Sequence, residues 1–291
     1  MYKTIYVPVD NSDYSDRAID LAIELAKQFG SRLVGNHVYA ARMHDYRFKQ
    51  MEFTLPEEYK DEAELERQRK IHDSLITMGL QLISDSYLDV MDKKAKEAGL
   101  SVERKLFDGK HYKAIIEDIK ASDYDLVIMG ALGMGAVKDS LIGSVTERVI
   151  RKVNTDTLIV KEVKVKENGQ RKPIVVGIDG SPQSFAGLNI ALHLGAALSR
   201  QVEAVGVVQP SLNGSLEIAQ KMGEKAGFDL TVTSLGEGKV FERILEHVRK
   251  ETPWLLVLGR TGVDSEEGEI ELGNNTEHLI WKAPCNLLIV S

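Results

Sequence analysis

Residues 126–150, LVIMGALGMGAVKDSLIGSVTERVI, and residues 255–280, LLVLGRTGVDSEEGEIELGNNTEHLI, repeat one pattern within the same chain. In each copy, an apolar segment typical of a buried strand is followed by a loop rich in glycine. A predicted helix containing Thr-Glu then closes the pattern. Because self-similarity at a fixed period indicates repeated structural units, the 291-residue chain is expected to consist of two similar halves.

The start of each half carries the same repeat. TIYVPVD, which ends at Asp10, matches PIVVGID, which ends at Asp179. Each apolar strand is followed by a serine, Ser12 or Ser181, of the type that caps the N-terminus of a helix. Short apolar strands that alternate with helical segments predict a parallel sheet covered by helices on both faces.

The predicted fold is α/β, with two tandem Rossmann-like domains. Each is a five-stranded parallel sheet flanked by helices. We place the domains at 1–163 and 172–291, joined by the charged segment EVKVKENGQRK (162–172). The strands are predicted near 4–9, 33–39, 101–107, 125–130 and 157–161, and near 173–178, 202–208, 228–235, 254–259 and 286–290.

The first half carries an insertion, about 42–98, where the second has only the short segment 211–227. Its apolar residues follow a helical spacing and predict a long helix that covers the sheet with a solvated outer face. An alternative is a docking arm for a partner or a second copy of the chain. The apolar positions are Ile76, Leu80, Ile83, Tyr87, Met91, Ala95 and Ala98.

Composition narrows the functional classes. The formal net charge of −7 argues against a nucleic-acid-binding surface. No apolar run approaches the roughly 18 residues that a membrane helix needs, so no membrane partner is expected. The single cysteine, Cys285, excludes an internal disulfide and agrees with a reducing compartment. We therefore expect a cytoplasmic protein.

The glycine-rich loop of the first half has the chemistry of an anion site. Gly130, Gly133 and Gly135 follow the predicted fourth strand and leave backbone N–H groups accessible. The helix that begins near Gly143 offers free N–H donors and the positive end of its dipole. Ligands of open α/β sheets bind at the carboxyl ends of the strands. This arrangement favours a di- or triphosphate in the loop and a base with its ribose near Asp10.

The same loop residues also suit purely structural roles. Glycines after a parallel strand are common in turns, Ser144 suits a helix cap, and Lys138 either neutralises phosphate or faces solvent. The loop lacks the Gly-Lys-Ser/Thr of a P-loop and the third glycine of a dinucleotide fingerprint. The seven histidines form no metal-ligand spacing, and no nucleophile elbow is present. No side chain is assigned a catalytic or metal-binding role.

The spacing Gly130-x2-Gly133-x9-Gly143-Ser144 resembles the ATP-binding pattern of the universal stress protein family. The resemblance covers nearly the whole chain as two tandem family domains, and it implies a Rossmann-like fold of the adenine nucleotide alpha hydrolase type for each. It extends to Val7-Pro8-Val9-Asp10, His37-Val38 and the LIVK of residues 158–161.

This resemblance implies a site for ATP, with AMP or ADP as variants, and a divalent cation such as Mg²⁺ held through the phosphates. The residues implied around adenine and ribose are Pro8, Val9, Asp10 and Val38. Those implied around ribose and phosphates are Met129, Gly130, Gly133, Gly143, Ser144, Val145 and Thr146.

The second copy departs from the pattern. Ten residues rather than nine separate Gly262 from Gly273, and Asn274 replaces the serine. The intervening loop carries five acids, and one carboxylate about 6 Å from a phosphate charge costs roughly 2–3 kcal/mol at an effective dielectric near 20. A weakened or lost site is therefore expected, unless the acids face solvent or recruit a metal. The acids are Asp264, Glu266, Glu267, Glu269 and Glu271.

The resemblance further implies pairing through the final strands. The two halves are then expected to form an internal pseudo-dimer, with a homodimer as a further possibility. The expected function is nucleotide-dependent regulation through association with a partner. Two alternatives are a slow ATPase or autophosphorylating enzyme, and a scaffold that works through the insertion without nucleotide. Pyrophosphatase-type chemistry is weaker, because Asp10-Asn11-Ser12 stands where a Ser-Gly-Gly loop is expected.

Overall fold

The computed structural model describes residues 1–135, 141–162, 171–209, 212, 214–263 and 272–291. The first half runs β1 Thr4–Pro8, α1 Asp13–Phe29, β2 Arg32–Tyr39, α2 Ala41–Glu52, α3 Glu62–Glu97, β3 Val102–Asp108, α4 His111–Ala121, β4 Leu126–Gly130, α5 Ser144–Lys152 and β5 Asp156–Val160. The second half runs β6 Ile174–Gly177, α6 Pro182–Leu198, β7 Val202–Val208, α7 Ser215–Lys225, β8 Leu230–Glu237, α8 Val240–Glu251, β9 Leu255–Gly259, α9 Asn274–Lys282 and β10 Asn286–Val290.

The ten strands form one sheet in the order β3-β2-β1-β4-β5-β10-β9-β6-β7-β8. Neighbouring strands are parallel within each half. The halves meet where β5 and β10 pair antiparallel, with Leu158 opposite Leu288. The predicted fold class and the position of every strand are confirmed. The halves share one continuous sheet because the last strand of each covers the edge of the other.

Burial explains why the central strands are apolar throughout. Helices cover both faces of the sheet, so successive side chains of a strand enter a core whichever way they point. Ile5, Tyr6 and Val7 in β1 are all fully buried, as are Leu255 and Leu256 in β9. The two caps predicted from sequence are present. Ser12 Oγ accepts a hydrogen bond from Ser15 N at 3.1 Å, and Ser181 Oγ accepts one from Ser184 N at 3.2 Å.

The insertion forms α2 and α3. Helix α3 has 36 residues and is therefore about 54 Å long. Its C-terminal part packs on the sheet through the buried residues Leu88, Met91 and Ala95. Met91 and Ala95 belong to the predicted apolar face, whereas Leu88 was not predicted to lie on it. Gly35 in β2 makes this contact possible, since a Cβ there would lie 2.8 Å from Met91 Sδ.

The N-terminal part of α3 packs against α2 instead. Arg69 donates to both carboxylate oxygens of Glu52, at 2.9 Å from Nε and 2.7 Å from Nη2. The rings of Phe48 and His72 stack with their centroids 4.0 Å apart. The two helices therefore form an arm that extends beyond the part of α3 resting on the sheet. No helix in the described ranges combines the length and apolar composition needed to cross a membrane.

Candidate functional site

A cavity of about 860 Å³ opens at the carboxyl ends of β1, β2 and β4. The chain leaves β1 toward β2 and β3 on one side, and later returns to place β4 and β5 on the other. Because the strand order reverses between β1 and β4, the segments that follow these two strands run to opposite sides and leave a crevice between them. The cavity therefore lies at the position where open α/β sheets bind ligands.

Every site residue named from the sequence lines this one cavity. Residues from β1 and β2 form one side, and residues from β4, the glycine loop and α5 form the other. The residues are Pro8, Val9, Asp10, Val38, Met129, Gly130, Gly133, Gly143, Ser144, Val145 and Thr146. The structure thus brings together positions up to 138 residues apart in the chain.

Asp10 links the start of α1 to the glycine loop. Its Oδ1 accepts hydrogen bonds from Ser12 N at 3.1 Å and Ser12 Oγ at 2.6 Å. Its Oδ2 accepts one from Met134 N at 3.2 Å. The Asp10 carboxylate therefore connects the two sides of the cavity through its hydrogen bonds. Its place beside a ribose stays a prediction.

Two glycines of the loop, Gly130 and Gly133, are required by close approach. A Cβ on Gly133 would lie 2.4 Å from Asp10 Oδ2, and a Cβ on Gly130 would lie 2.8 Å from Tyr14 Cβ. Gly143 N donates to Ala131 O at 2.7 Å, which folds the loop back on its first residue. A side chain at Gly130 would therefore require a shift of α1, and one at Gly133 would require a shift of the loop or of the Asp10 carboxylate.

Helix α5 begins at Ser144 without a side-chain cap, because the N-cap residue is Gly143. The Thr146 hydroxyl donates to Gly130 O at 2.8 Å and so ties the helix to the end of β4. Ser144 is exposed beside the cavity. Its hydroxyl and the N–H groups of the first turn are the donors that this wall can offer to an anion. Lys138 lies outside the described residues.

His37 contributes a hydrogen-bond acceptor at the other end of the cavity. Its Nδ1 lies 2.5 Å from Val9 O. Because a carbonyl oxygen can only accept, Nδ1 carries the proton and Nε2 of the neutral ring is an acceptor. Burial lowers the pKa of His37, and the bond to Val9 opposes that effect only in part. The neutral ring packs edge-on against Tyr87, with centroids 5.0 Å apart.

The insertion also lines the cavity, which was not predicted from the sequence. Leu80, Ile83 and Tyr87 were expected only to cover the sheet, and in the structure they form a cavity wall. Their helical spacing identified the inward face of α3 but gave no sign that a cavity lies beneath it. The insertion residues that line the cavity are Met43, His44, Leu80, Ile83, Ser84 and Tyr87.

Trp281, from α9 of the second half, is a further residue that the sequence did not indicate. It reaches the first-half cavity because β10 pairs with β5 and brings α9 beside α5. Arg151 of α5 confirms this proximity, since it forms ion pairs with Glu147 at 3.3 Å and with Glu277 of α9. The second half therefore supplies part of the wall of the first-half site.

The charge of the cavity constrains its ligands. The described lining residues include the carboxylates Asp10 and Glu147 and the histidines His37, His44 and His111, and they include no lysine or arginine. Within the described ranges, no group of three or more histidine, cysteine or carboxylate side chains is arranged to hold a metal ion. A divalent cation at this site would thus depend on oxygen ligands that the bound molecule brings.

The second half repeats the hydrogen bonds at the end of the first strand, but its side chains occupy the place that corresponds to the cavity. Asp179 accepts from Ser181 N and Oγ at 2.9 and 2.6 Å, as Asp10 does from Ser12. The sheet register pairs Pro8 with Asn36 and Gly177 with Val205, so the next residues along, His37 and Gly206, occupy equivalent positions.

Gly206 faces apolar side chains rather than open space. A Cβ on Gly206 would lie 2.7 Å from Leu212 Cδ1 and 3.1 Å from Leu216 Cδ2. Leu212 itself is buried. The space that corresponds to the His37 end of the first cavity is therefore occupied. The acidic loop at 264–271 lies outside the described residues.

Comparison with known proteins agrees with this architecture. A model of the universal stress protein family matches residues 1–161 and 211–291. A universal stress protein of Methanocaldococcus jannaschii is 29% identical over 164 residues, which cover 56% of this chain and 85% of that protein. Universal stress protein YxiE of Bacillus subtilis is 26% identical over 161 residues, which cover 55% of this chain and 100% of that protein. The crystal structure of a universal stress protein from Archaeoglobus fulgidus superposes with a TM-score of 0.70 at 18% identity, covering 99% of this chain and 98% of that one, and shows the same fold. The chain belongs to the universal stress protein family.

Proposed function

We propose that the first half binds ATP, or its relatives ADP and AMP, and that occupancy of this site regulates association with a partner. The observation that carries the proposal is the convergence of eleven sequence-selected residues on one cavity, with a glycine loop too close to Asp10 to accept a side chain. Free N–H groups of that loop and of α5 suit phosphates. Mg²⁺ would be held by the phosphates, since the described lining offers few oxygen ligands of its own.

The opposite end of the cavity suits a purine base. Val9, Val38 and Met129 are buried apolar residues of the lining. His37 also lines the cavity, and its Nε2 is a hydrogen-bond acceptor. The exocyclic amine of adenine is a suitable donor for it. This combination of apolar contact and an acceptor supports adenine at the β1 and β2 end.

We infer that the second half is a weakened or silent site. Leu212 and Leu216 occupy the space that corresponds to the base end, and α7, which connects β7 to β8 as α3 connects β2 to β3, has 11 residues where α3 has 36. We assign the domains to 1–163 and 172–291 and treat the antiparallel β5–β10 pairing as an internal counterpart of dimer formation. The second half then serves to pair with the first and to supply Trp281. We place the protein in the cytoplasm.

The insertion is the element through which nucleotide would act on a partner. The inner face of α3 contacts the cavity, while its outer face and α2 are exposed. A ligand that contacts Ile83 and Tyr87 favours one position of the arm and so changes the surface seen by a partner. Limited proteolysis within 42–98 with and without ATP measures this change.

Trp281 provides a direct test of binding. The chain has two tryptophans, and Trp254 is almost fully buried while Trp281 lines the cavity. In a Trp254→Phe variant, ATP is expected to change the emission of Trp281 in a saturable manner. The matched Trp281→Phe variant should show little change in emission while still binding ATP by calorimetry. The proposal fails if calorimetry detects no binding to the unsubstituted chain.

A further inference from the structure

The outer face of α3 carries a row of exposed apolar side chains, which we call the outer stripe: Ile71, Leu75, Met78 and Leu82. Their exposed fractions are 51%, 65%, 64% and 73%. Single exposed apolar residues are ordinary, but four in a row along one helix are typical of an interaction surface. The outer stripe departs from the solvated outer face that the sequence favoured for this helix.

The spacing of the outer stripe is four, three and four residues, which is the a/d pattern of a coiled coil. Successive residues of an α-helix are rotated by about 100°, so the outer stripe lies roughly 120–140° around the helix from the sides that face α2 and the sheet. The residues beside the outer stripe include Ser74, whose side chain is small, and Gly79, which has none. A Cβ on Gly79 would meet no atom within 4 Å. A second helix could therefore approach closely along this face.

The two ends of the outer stripe differ in charge. One turn before Ile71, the 73% exposed side chain of Arg67 lies 3.7 Å from Glu64, so a cation and an acid balance at this end. Past Leu82, three carboxylates surround Arg104, whose Nη1 lies 2.7 Å from Asp89 and whose Nη2 lies 3.1 Å from Asp85. The third carboxylate, Asp92, lies 3.2 Å from Nη1. One cation among three acids leaves this end with a negative balance.

We propose that the outer stripe binds the outer stripe of a second copy of the chain, in antiparallel orientation about a two-fold axis between Leu75 and Met78. In this register Leu75 packs against Met78 of the other copy, and Ile71 packs against Leu82. Arg67 of each copy then approaches Asp85 of the other, twice by symmetry. A parallel arrangement would place the acidic end of one copy, with Asp85 and Asp89, beside the acidic end of the other, so repulsion between like charges selects the antiparallel one.

This interface does not depend on nucleotide binding, because it is built from the outer face of α3 alone. It adds a second role for the insertion, whose inner face lines the cavity. If the arm moves as one body, dimerisation and ligand binding would change each other's affinity by the same factor.

Sedimentation of the full chain without nucleotide tests the interface. The unsubstituted chain should form a dimer that Leu75→Glu weakens by roughly 30-fold or more in Kd, the effect of losing a central contact. Ile218→Glu, at a position 48% exposed on α7, is the matched control and should leave the dimer intact. A chain that remains monomeric up to about 100 µM overturns the proposal, as does a dimer that Leu75→Glu leaves unchanged.

Disulfide trapping tests the orientation. Ser74 and Gln81 lie on the same side of the outer stripe and face each other across an antiparallel pair, so a mixture of Ser74→Cys and Gln81→Cys chains should form a cross-linked dimer on mild oxidation. Each variant alone should cross-link poorly, and the native Cys285 is buried and should not interfere. Gly79 lies on the opposite side of the outer stripe and faces Ser74 only in a parallel pair, so efficient cross-linking of Ser74→Cys with Gly79→Cys would overturn the antiparallel orientation. Unchanged melting temperatures would show that all the variants remain folded.

Discussion

Gly133→Val is expected to weaken ATP binding by at least about 100-fold, which corresponds to about 2.7 kcal/mol. A Cβ at this position would lie 2.4 Å from Asp10 Oδ2, far inside contact distance, so either the loop or the carboxylate must move. Movement of the loop removes the N–H groups that we assign to the phosphates. Movement of Asp10 breaks its bonds to Ser12 and Met134. Calorimetric titration with ATP measures the loss.

The matched control is Gly262→Val in the second half. Its Cβ would lie 2.9 Å from Asp179 Oδ2, so it imposes a similar steric conflict on the equivalent loop. Because we assign no nucleotide to that half, the affinity for ATP should stay within about twofold of the unsubstituted chain. Equal losses in the two variants would show that both loops bind nucleotide. Normal binding by Gly133→Val would contradict the assignment of the loop to phosphates.

Leu88→Ala is expected to lower the free energy of unfolding by about 2–5 kcal/mol. Leu88 is 1% exposed and, beside Met91, holds the C-terminal part of α3 on the sheet over Gly35. Loss of this contact should also weaken ATP binding, because the preceding turns of α3 form the cavity wall. Urea denaturation measures the stability, and titration of the folded variant measures the affinity.

Ile218→Ala serves as the control for this substitution, since Ile218 is 48% exposed on α7 and should change the free energy of unfolding by less than about 0.5 kcal/mol. If Leu88→Ala were no more destabilising than Ile218→Ala, α3 would not be docked as the structure shows. A destabilised variant with unchanged affinity for ATP would separate α3 from the site and contradict its role as a wall.

Local spacing was sufficient to predict the strands, the helix caps and eleven of the residues that line the first-half cavity. An apolar strand, a polar residue at its end and a glycine loop are determined by neighbouring residues, and parallel strands bring their carboxyl ends to one edge. Asp10 and Gly133 could therefore be assigned to the same place although 123 positions separate them.

The remaining features depend on contacts between distant parts of the chain. Trp281 reaches the cavity only because β10 pairs with β5, and no local pattern at Trp281 reports that pairing. The equivalence of Gly206 with His37 required the sheet register, since the two sequences around these residues align poorly. The inner face of α3 was recognised from its period, but whether it met the sheet or a cavity depended on the shape of the surface beneath it.

The stoichiometry of ATP binding tests the central claim most directly. Calorimetric titration of the full-length chain in Mg²⁺, combined with acid release and mass spectrometry of any nucleotide that copurifies, counts the sites. We expect one adenine nucleotide per chain in total, with that site lost in Gly133→Val. Two nucleotides per chain would contradict the silent second half, and a chain that neither retains nor binds adenine nucleotide would contradict the proposed function as a whole.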